Sequence, residues 1–212
     1  QGIAAGVNSQ AMGPLLPSKL YGGFIEHIGN LINHSLWSEM LDDRKFYYGV
    51  IEKPEVKPTH PLAALSFNQK WLAVGPLAAI QLDTQNVWVG QHSPVITANE
   101  EQPVGMAQPE IAIKADAEYN SRIVAWAESG VDLVVKLTWG EGPGQSLEQK
   151  IATSKKWQTR KFTFKPGVAT RNARFEILAR GKGRCGIGAV SLMPADNVQG
   201  FRADTLALMK EM

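Results

Sequence analysis

A carboxylate and a histidine stand at the end of a short apolar stretch near the start of the chain, Ser18-Lys-Leu-Tyr-Gly-Gly-Phe-Ile-Glu-His27. The composition is that of a β-strand, in which successive side chains point to opposite faces. Glu26 would then share one face with Leu20 and Phe24. His27 would lie on the opposite face. An apolar strand ending in an inward-facing acid is typical of the functional rim of a (β/α)8 barrel. The alternative is a surface strand with a solvated glutamate.

Three further blocks accompany this stretch: Leu36-Trp-Ser-Glu-Met-Leu-Asp-Asp-Arg-Lys-Phe46, Val190-Ser-Leu-Met-Pro-Ala-Asp-Asn197 and Gly200-Phe-Arg-Ala-Asp-Thr-Leu206. Together with Leu20–His27, they resemble the N-terminal part of family 51 glycoside hydrolases, which are retaining α-L-arabinofuranosidases. The blocks occur in the family's order and span most of the chain. The chain departs from the family at Asn33-His34-Ser35, where the family often has a Gly-Gly pair. It also departs at Asp43, where the family usually has Asn.

The resemblance implies that Glu26 accepts hydrogen bonds from arabinofuranose hydroxyls. His27 and His34 either flank it or are ordinary packed or solvated histidines. Retaining hydrolysis needs two carboxyl groups about 5–5.5 Å apart, and in the family both lie on later barrel strands. The dipeptide Asn99-Glu100 lies in a polar run that indicates a solvated turn. We therefore expect no catalytic residue in this chain and no hydrolysis by the chain alone.

Composition excludes several classes of protein. Among 212 residues, 44% are hydrophobic and 20% charged, and the net charge is +2 with no basic block, which argues against a nucleic-acid partner. No apolar run reaches 18 residues, so we expect no membrane partner. The single Cys185 excludes an internal disulfide framework and indicates a small buried filler. Isolated aspartates predict no metal, and we expect no cofactor.

The first residues, Gln1-Gly-Ile-Ala-Ala-Gly6, fit a removed signal peptide or an arbitrary boundary. Since the resembled family is often exported, we expect a secreted or periplasmic protein.

The sequence pattern divides the chain into three regions. Residues 1–66 would hold the first barrel strand, a helix over about 30–42 and a proline-rich linker. Residues 67–194 would form a β-sandwich that resembles jelly-roll carbohydrate-binding modules. Residues 195–212 would hold the first barrel helix, from about 201, with an apolar stripe of Thr205, Leu208, Met209 and Met212. The predicted fold is mainly β, with the jelly roll inserted between the first strand and first helix of an incomplete (β/α)8 barrel.

The sandwich prediction depends on short apolar runs separated by turn signals. The eight predicted strands are centred on Trp88–Gly90, Val95–Thr97, Ile111–Ile113, Ile123–Trp126, Leu133–Trp139, Phe162–Phe164, Phe175–Leu178 and Ile187–Leu192.

Five of the six tryptophans fall in the sandwich. Aromatic faces stack on sugars, but most sandwich tryptophans are core residues. Trp126 and Trp139 lie inside apolar runs, so we assign them to the core. Trp71 and Trp157 follow lysines near turns, so we predict them, with Glu26 and His27, as substrate-binding residues.

Two functions remain open. The chain is either the N-terminal part of an α-L-arabinofuranosidase or a non-catalytic module that binds polysaccharide or builds an assembly. Both predict an arabinose-containing polysaccharide or oligosaccharide as ligand. Because a lone barrel strand leaves backbone groups unpaired, both also predict the remainder of the barrel, or another copy of the chain, as a protein partner.

Overall fold

The computed structural model describes residues 32–60, 63–64 and 67–211, together with Gly13. Ten strands dominate this part of the chain. They are β1 (Leu72–Val74), β2 (Ile80–Asp83), β3 (Ser93–Ala98), β4 (Val104–Ile113), β5 (Tyr119–Ala127), β6 (Val131–Thr138), β7 (Ser146–Ile151), β8 (Gln158–Phe164), β9 (Thr170–Gly181) and β10 (Gly183–Pro194). Shorter elements are a π-helical turn at Ile32–Leu36, a 3-10 turn at Leu77–Ala79 and the helix α1 (Ala203–Glu211).

The strands form two five-stranded antiparallel sheets. The first sheet has the order β1-β4-β9-β6-β7 and the second has the order β2-β3-β10-β5-β8. Without the edge strands β1 and β2, the eight strands β3 to β10 have jelly-roll topology. The structure thus confirms the predicted mainly β jelly-roll sandwich.

The core lies between the sheets, where alternate side chains of each strand point inward. In β6 the inward residues Leu133, Val135 and Leu137 are fully buried, and β10 contributes Ile187 in the same way. Trp139 is buried in this core, as predicted, and so is the Cys185 thiol. Burial raises the pKa of Cys185 to about 12, and the nearby Glu128 acts in the same direction, so this cysteine is a packed apolar side chain.

Most strands were predicted correctly from apolar runs, but the strand predicted at Trp88–Gly90 is wrong: residues 84–92 form an irregular loop between β2 and β3. The structure adds β1, β2 and β7 to the predicted set. The edge strand β7 is polar and mostly exposed, which explains why its sequence lacks an apolar run.

The segment before the sandwich packs into it. The helix expected over about 30–42 is wrong beyond Leu36, because Met40 N–H donates to the Leu192 carbonyl of β10 (3.0 Å) instead of continuing a helix. Farther along, Val190 N–H donates to the Arg44 carbonyl (3.0 Å), so this segment runs beside β10. Leu41 and Phe46 belong to the sandwich core.

The segment that precedes the sandwich is hydrogen-bonded to the segment that follows it. Trp37 and Phe201 form an antiparallel bridge, and Ser38 N–H donates to the Gly200 carbonyl (2.8 Å). Arg202 N–H in turn donates to the Leu36 carbonyl (2.9 Å). Two sequence blocks about 160 residues apart are therefore adjacent.

The C-terminal helix is confirmed at Ala203–Glu211, where Thr205 Oγ1 donates to the Ser35 carbonyl (3.1 Å). Of its predicted stripe, Leu208 is 63% and Met209 41% exposed, and Met212 lies outside the described residues. The strand Leu20–Glu26 also lies outside them, so this first barrel strand stays a prediction. Within the described part, no helix is long and apolar enough to cross a membrane.

Candidate functional site

Three tryptophans form a cluster on the outer face of the second sheet. The rings of Trp88 and Trp157 are 6.1 Å apart and tilted by 51°. The Trp157 ring meets Trp126 edge to face at 6.3 Å and 87°. Trp88 is 47% exposed, Trp157 is half-buried and Trp126 is buried beneath them. The Trp88–Trp157 pair therefore presents aromatic surface to solvent over a packed base.

Two glycines of β10 make room for this cluster. A Cβ on Gly188 would lie 2.4 Å from the Trp88 Cβ and 3.1 Å from Trp157 Cζ3. A Cβ on Gly186 would lie 2.1 Å from Trp126 Nε1. Gly188 also sits at a register irregularity between Ile187 and Ala189, where β10 bulges against β5. The indoles thus rest directly on the backbone of β10.

A hydrogen bond fixes the orientation of the Trp157 ring. Trp157 Nε1 donates to Asn86 Oδ1 (2.9 Å), which ties the start of β8 to the loop that carries Trp88. Trp126 Nε1, by contrast, is buried with no hydrogen-bond partner. The prediction that Trp126 is buried is confirmed. Its ring nevertheless packs outside the inter-sheet core, because it alternates with the inward Ala125 and Ala127.

Of the predicted binding residues, Trp157 lies in this cluster and Trp71 does not. Trp71 is 1% exposed, so the expectation that it is an accessible sugar platform is wrong. Its ring packs against Phe46 (5.4 Å) and Phe175 (6.4 Å), and its Nε1 donates to the Asp43 carbonyl (3.2 Å). The lysine before it indicated exposure, but the indole, one residue before β1, packs in the core.

Glu26 and His27 lie outside the described residues, as does the side chain of His34. Their proposed contacts with sugar stay predictions. Trp88 was predicted as part of a strand and not as a site residue. Its flanks, Thr84-Gln-Asn86 and Gly90, are the signal of an exposed loop.

A buried carboxylate, also missed, fastens the Leu36–Phe46 block to β10. Glu39 is 7% exposed and accepts hydrogen bonds from Ser191 Oγ (2.7 Å) and Leu192 N–H (2.9 Å). The backbone N–H groups of Met40 (3.2 Å) and Leu41 (3.3 Å) donate to the same carboxylate. Burial raises the pKa of Glu39 despite these donors. These hydrogen bonds hold the Leu36–Phe46 block against β10, and we call them the Glu39 clamp.

Asp43 explains one departure from the family pattern. Its φ of 45° is in the left-handed region, which Asn and Asp tolerate best among residues with side chains. Its carboxylate accepts the N–H groups of Tyr47 (2.6 Å) and Tyr48 (3.0 Å). Asn, the residue the family usually has here, could adopt the same backbone and accept one of these bonds.

A cavity of about 670 Å3 lies where the sandwich meets α1. Side chains of both charges line it, among them Glu39, Lys114 and Arg202, and the Lys57–Glu110 ion pair is part of its wall. Across the described ranges, no three His, Cys, Asp or Glu side chains are grouped closely enough to hold a metal ion.

The fold is that of carbohydrate-binding modules. The CBM22-1 xylan-binding domain of Paenibacillus barcinonensis Xyn10C matches with a TM-score of 0.51 at 14% identity, over 77% of this chain and 99% of that domain. TmCBM61, solved with β-1,4-galactotriose, matches with a TM-score of 0.50 at 17% identity, over 74% of this chain and 98% of that one. At these identities the likeness establishes a shared fold.

The chain as a whole is similar to α-L-arabinofuranosidases. It is 24% identical over 222 residues to α-L-arabinofuranosidase 1 of Arabidopsis thaliana, covering 96% of this chain and 31% of that enzyme. The arabinose-bound MgGH51 α-L-arabinofuranosidase superposes with a TM-score of 0.61 at 16% identity, over 88% of this chain and 31% of that one. No protein-family model matches the chain.

These similarities confirm the resemblance to family 51 arabinofuranosidases and to carbohydrate-binding modules. The chain spans about a third of the length of the arabinofuranosidases it matches.

Proposed function

We propose that this chain is the N-terminal part of a retaining α-L-arabinofuranosidase that releases arabinofuranosyl groups from plant-type polysaccharides. The observation that carries the proposal is the similarity to an arabinofuranosidase over 96% of the chain, which takes in both the sandwich and its flanking segments. The sandwich is an insertion in a barrel, and the remaining barrel strands supply the reaction.

The adjacency of the two flanking blocks supports this arrangement. Because Trp37 pairs with Phe201 and Arg202 donates to Leu36, the sandwich departs from one point and returns to it. An inserted domain has this geometry, since the host domain must continue on either side. In the proposed enzyme, α1 packs on the barrel through Leu208 and Met209, which are exposed here.

The chain contributes substrate positioning rather than bond cleavage. Glu26 would accept hydrogen bonds from the arabinofuranose, and the nucleophile and the acid/base would come from later strands. The Asn99-Glu100 dipeptide fits this division, because Glu100 is exposed in a turn where Asn99 Oδ1 accepts the N–H groups of Glu101 (3.1 Å) and Gln102 (3.0 Å).

The test is hydrolysis of an aryl α-L-arabinofuranoside by the full-length native protein and by the 212-residue chain, with the first-formed anomer read by proton NMR. We expect the native protein to have an intact mass well above 23.2 kDa and to release the α-anomer, whereas the chain alone is inactive. Turnover by the chain that vanishes in Glu26→Gln would contradict the proposed division of roles. If the native protein does not hydrolyse the arabinofuranoside, the proposed enzyme activity is refuted.

A second function, polysaccharide binding by the sandwich, is favoured by the Trp88–Trp157 pair. Exposed, preorganised indoles are large contact surfaces with little conformational entropy to lose. Affinity electrophoresis in gels containing arabinan should retard the chain, and Trp157→Ala should abolish the retardation. The matched control is Tyr47→Ala, since Tyr47 is an aromatic side chain 73% exposed elsewhere on the surface. Equal retardation of both variants would contradict binding at the pair.

A further inference from the structure

The outer face of β5 and β8 carries a pair of cations beside the aromatic cluster. Arg122 and Lys161 are directly opposite each other in the antiparallel ladder, and both are exposed. Arg122 alternates with Val124 and Trp126 on one face of β5. It is four residues from Trp126, which is about 13 Å along the strand.

Neither cation has a partner within the described part of the chain: no ion pair or side-chain hydrogen bond involves Arg122 or Lys161. Several other basic side chains of the sandwich are paired, for example Arg184 with Glu128 (3.4 Å) and Arg180 with Glu148 (3.0 Å). Like charges directly opposite each other destabilise a β-ladder. An unpaired Arg–Lys pair at such a position therefore offers a site for an anion.

Two further lysines, Lys155 and Lys156, lie next to the aromatic cluster in the sequence. Both are exposed and immediately precede Trp157 in the chain. The face thus combines an aromatic platform, which takes the C–H surface of a sugar ring, with cations that take a carboxylate. Arg is suited to bind a carboxylate through two parallel hydrogen bonds.

We propose that this outer face binds a polysaccharide that carries uronic acid groups. Sugar rings stack on Trp88 and Trp157, and a carboxylate farther along the same glycan lies between Arg122 and Lys161. This inference rests on the proposed polysaccharide binding of the sandwich and adds the charge of the glycan and the position of its carboxylate.

The experiment compares the full 212-residue chain on three soluble glycans by calorimetric titration at low salt. Polygalacturonate carries the carboxylates, its fully methyl-esterified form has the same backbone without charge, and arabinan is a neutral polymer of another sugar. We expect binding to polygalacturonate to be at least about tenfold tighter than binding to the ester, a ratio that corresponds to about 1.4 kcal/mol. Added salt should reduce this preference.

Two double variants that each remove two positive charges show whether the preference for the charged glycan depends on Arg122 and Lys161. Arg122→Gln/Lys161→Gln should remove the preference for the charged glycan and leave arabinan binding unchanged. The control, Lys53→Gln/Arg171→Gln, removes two exposed charges elsewhere, Arg171 being on the opposite sheet. It should retain the preference. Melting temperatures of both variants check that each is folded.

Three results would overturn the inference. If the chain binds arabinan but prefers no carboxylate, polysaccharide binding stands and the charged site is refuted. If both double variants lose the preference equally, the effect is one of net charge and not of this pair. If none of the three glycans binds, the inference and the polysaccharide-binding function both fail.

Discussion

Replacing Glu39 by alanine should be among the most destabilising single changes in the chain. The change removes the acceptor of the Leu192 N–H and the Leu41 N–H, both on buried residues. A buried donor left without a partner costs about 1–3 kcal/mol, and the change leaves two such backbone donors. We expect a loss of about 3–5 kcal/mol, a large part of the stability of an ordinary domain.

Glu39→Gln is the matched control. The amide keeps the oxygen that accepts from Leu192 and Leu41 and replaces only the oxygen that accepts from Ser191 Oγ, so the expected loss is smaller, about 1–2 kcal/mol. Urea unfolding followed by tryptophan fluorescence measures both values, provided that the m-value is unchanged. A loss below about 1 kcal/mol for Glu39→Ala would refute the clamp.

Three more predictions concern Glu39, Gly188 and Trp71. Burial raises the pKa of Glu39 above its ordinary 4.5, so the folded state holds this proton more tightly than the unfolded chain. The free energy of unfolding of the wild type relative to Glu39→Gln should therefore fall as pH rises above about 4.5, and parallel pH curves for the two proteins would contradict this. Gly188→Ala should displace the loop of Trp88 and weaken arabinan binding in affinity electrophoresis, because the new Cβ would meet that indole; unchanged retardation would count against the geometry. Trp71→Ala should lower the free energy of unfolding by about 3–5 kcal/mol in urea titrations with no selective effect on sugar binding, and a stable variant that lost only sugar binding would reverse the assignment.

The sandwich could be predicted because its signals are local. Alternating apolar residues, as in Leu133–Trp139, set both the strand and its inward face. Turn residues then separate one strand from the next. The helix at 203–211 was equally accessible from its spacing. The family resemblance placed both elements in order.

The site could not be predicted, because its contacts join distant parts of the chain. Trp88 and Trp157 are about 70 residues apart in the chain and meet over Gly188 of β10, a contact that no short sequence window contains. The expected helix over 30–42 failed for a similar reason. Leu41 has helical spacing, but it is buried in the sandwich core and β10 takes the backbone hydrogen bonds, so tertiary packing outweighed local propensity.

The most direct test of sugar binding at the aromatic pair is a nitrogen–proton NMR titration of the chain with soluble arabinan oligosaccharides. The six tryptophans give separate indole N–H signals. Binding at the pair predicts shifts for Trp88 and Trp157, with Trp71 and Trp139 unchanged because both are buried between the sheets. If no indole shifts at saturating sugar, or if Trp88 and Trp157 stay fixed while other signals move, the pair is not the binding site.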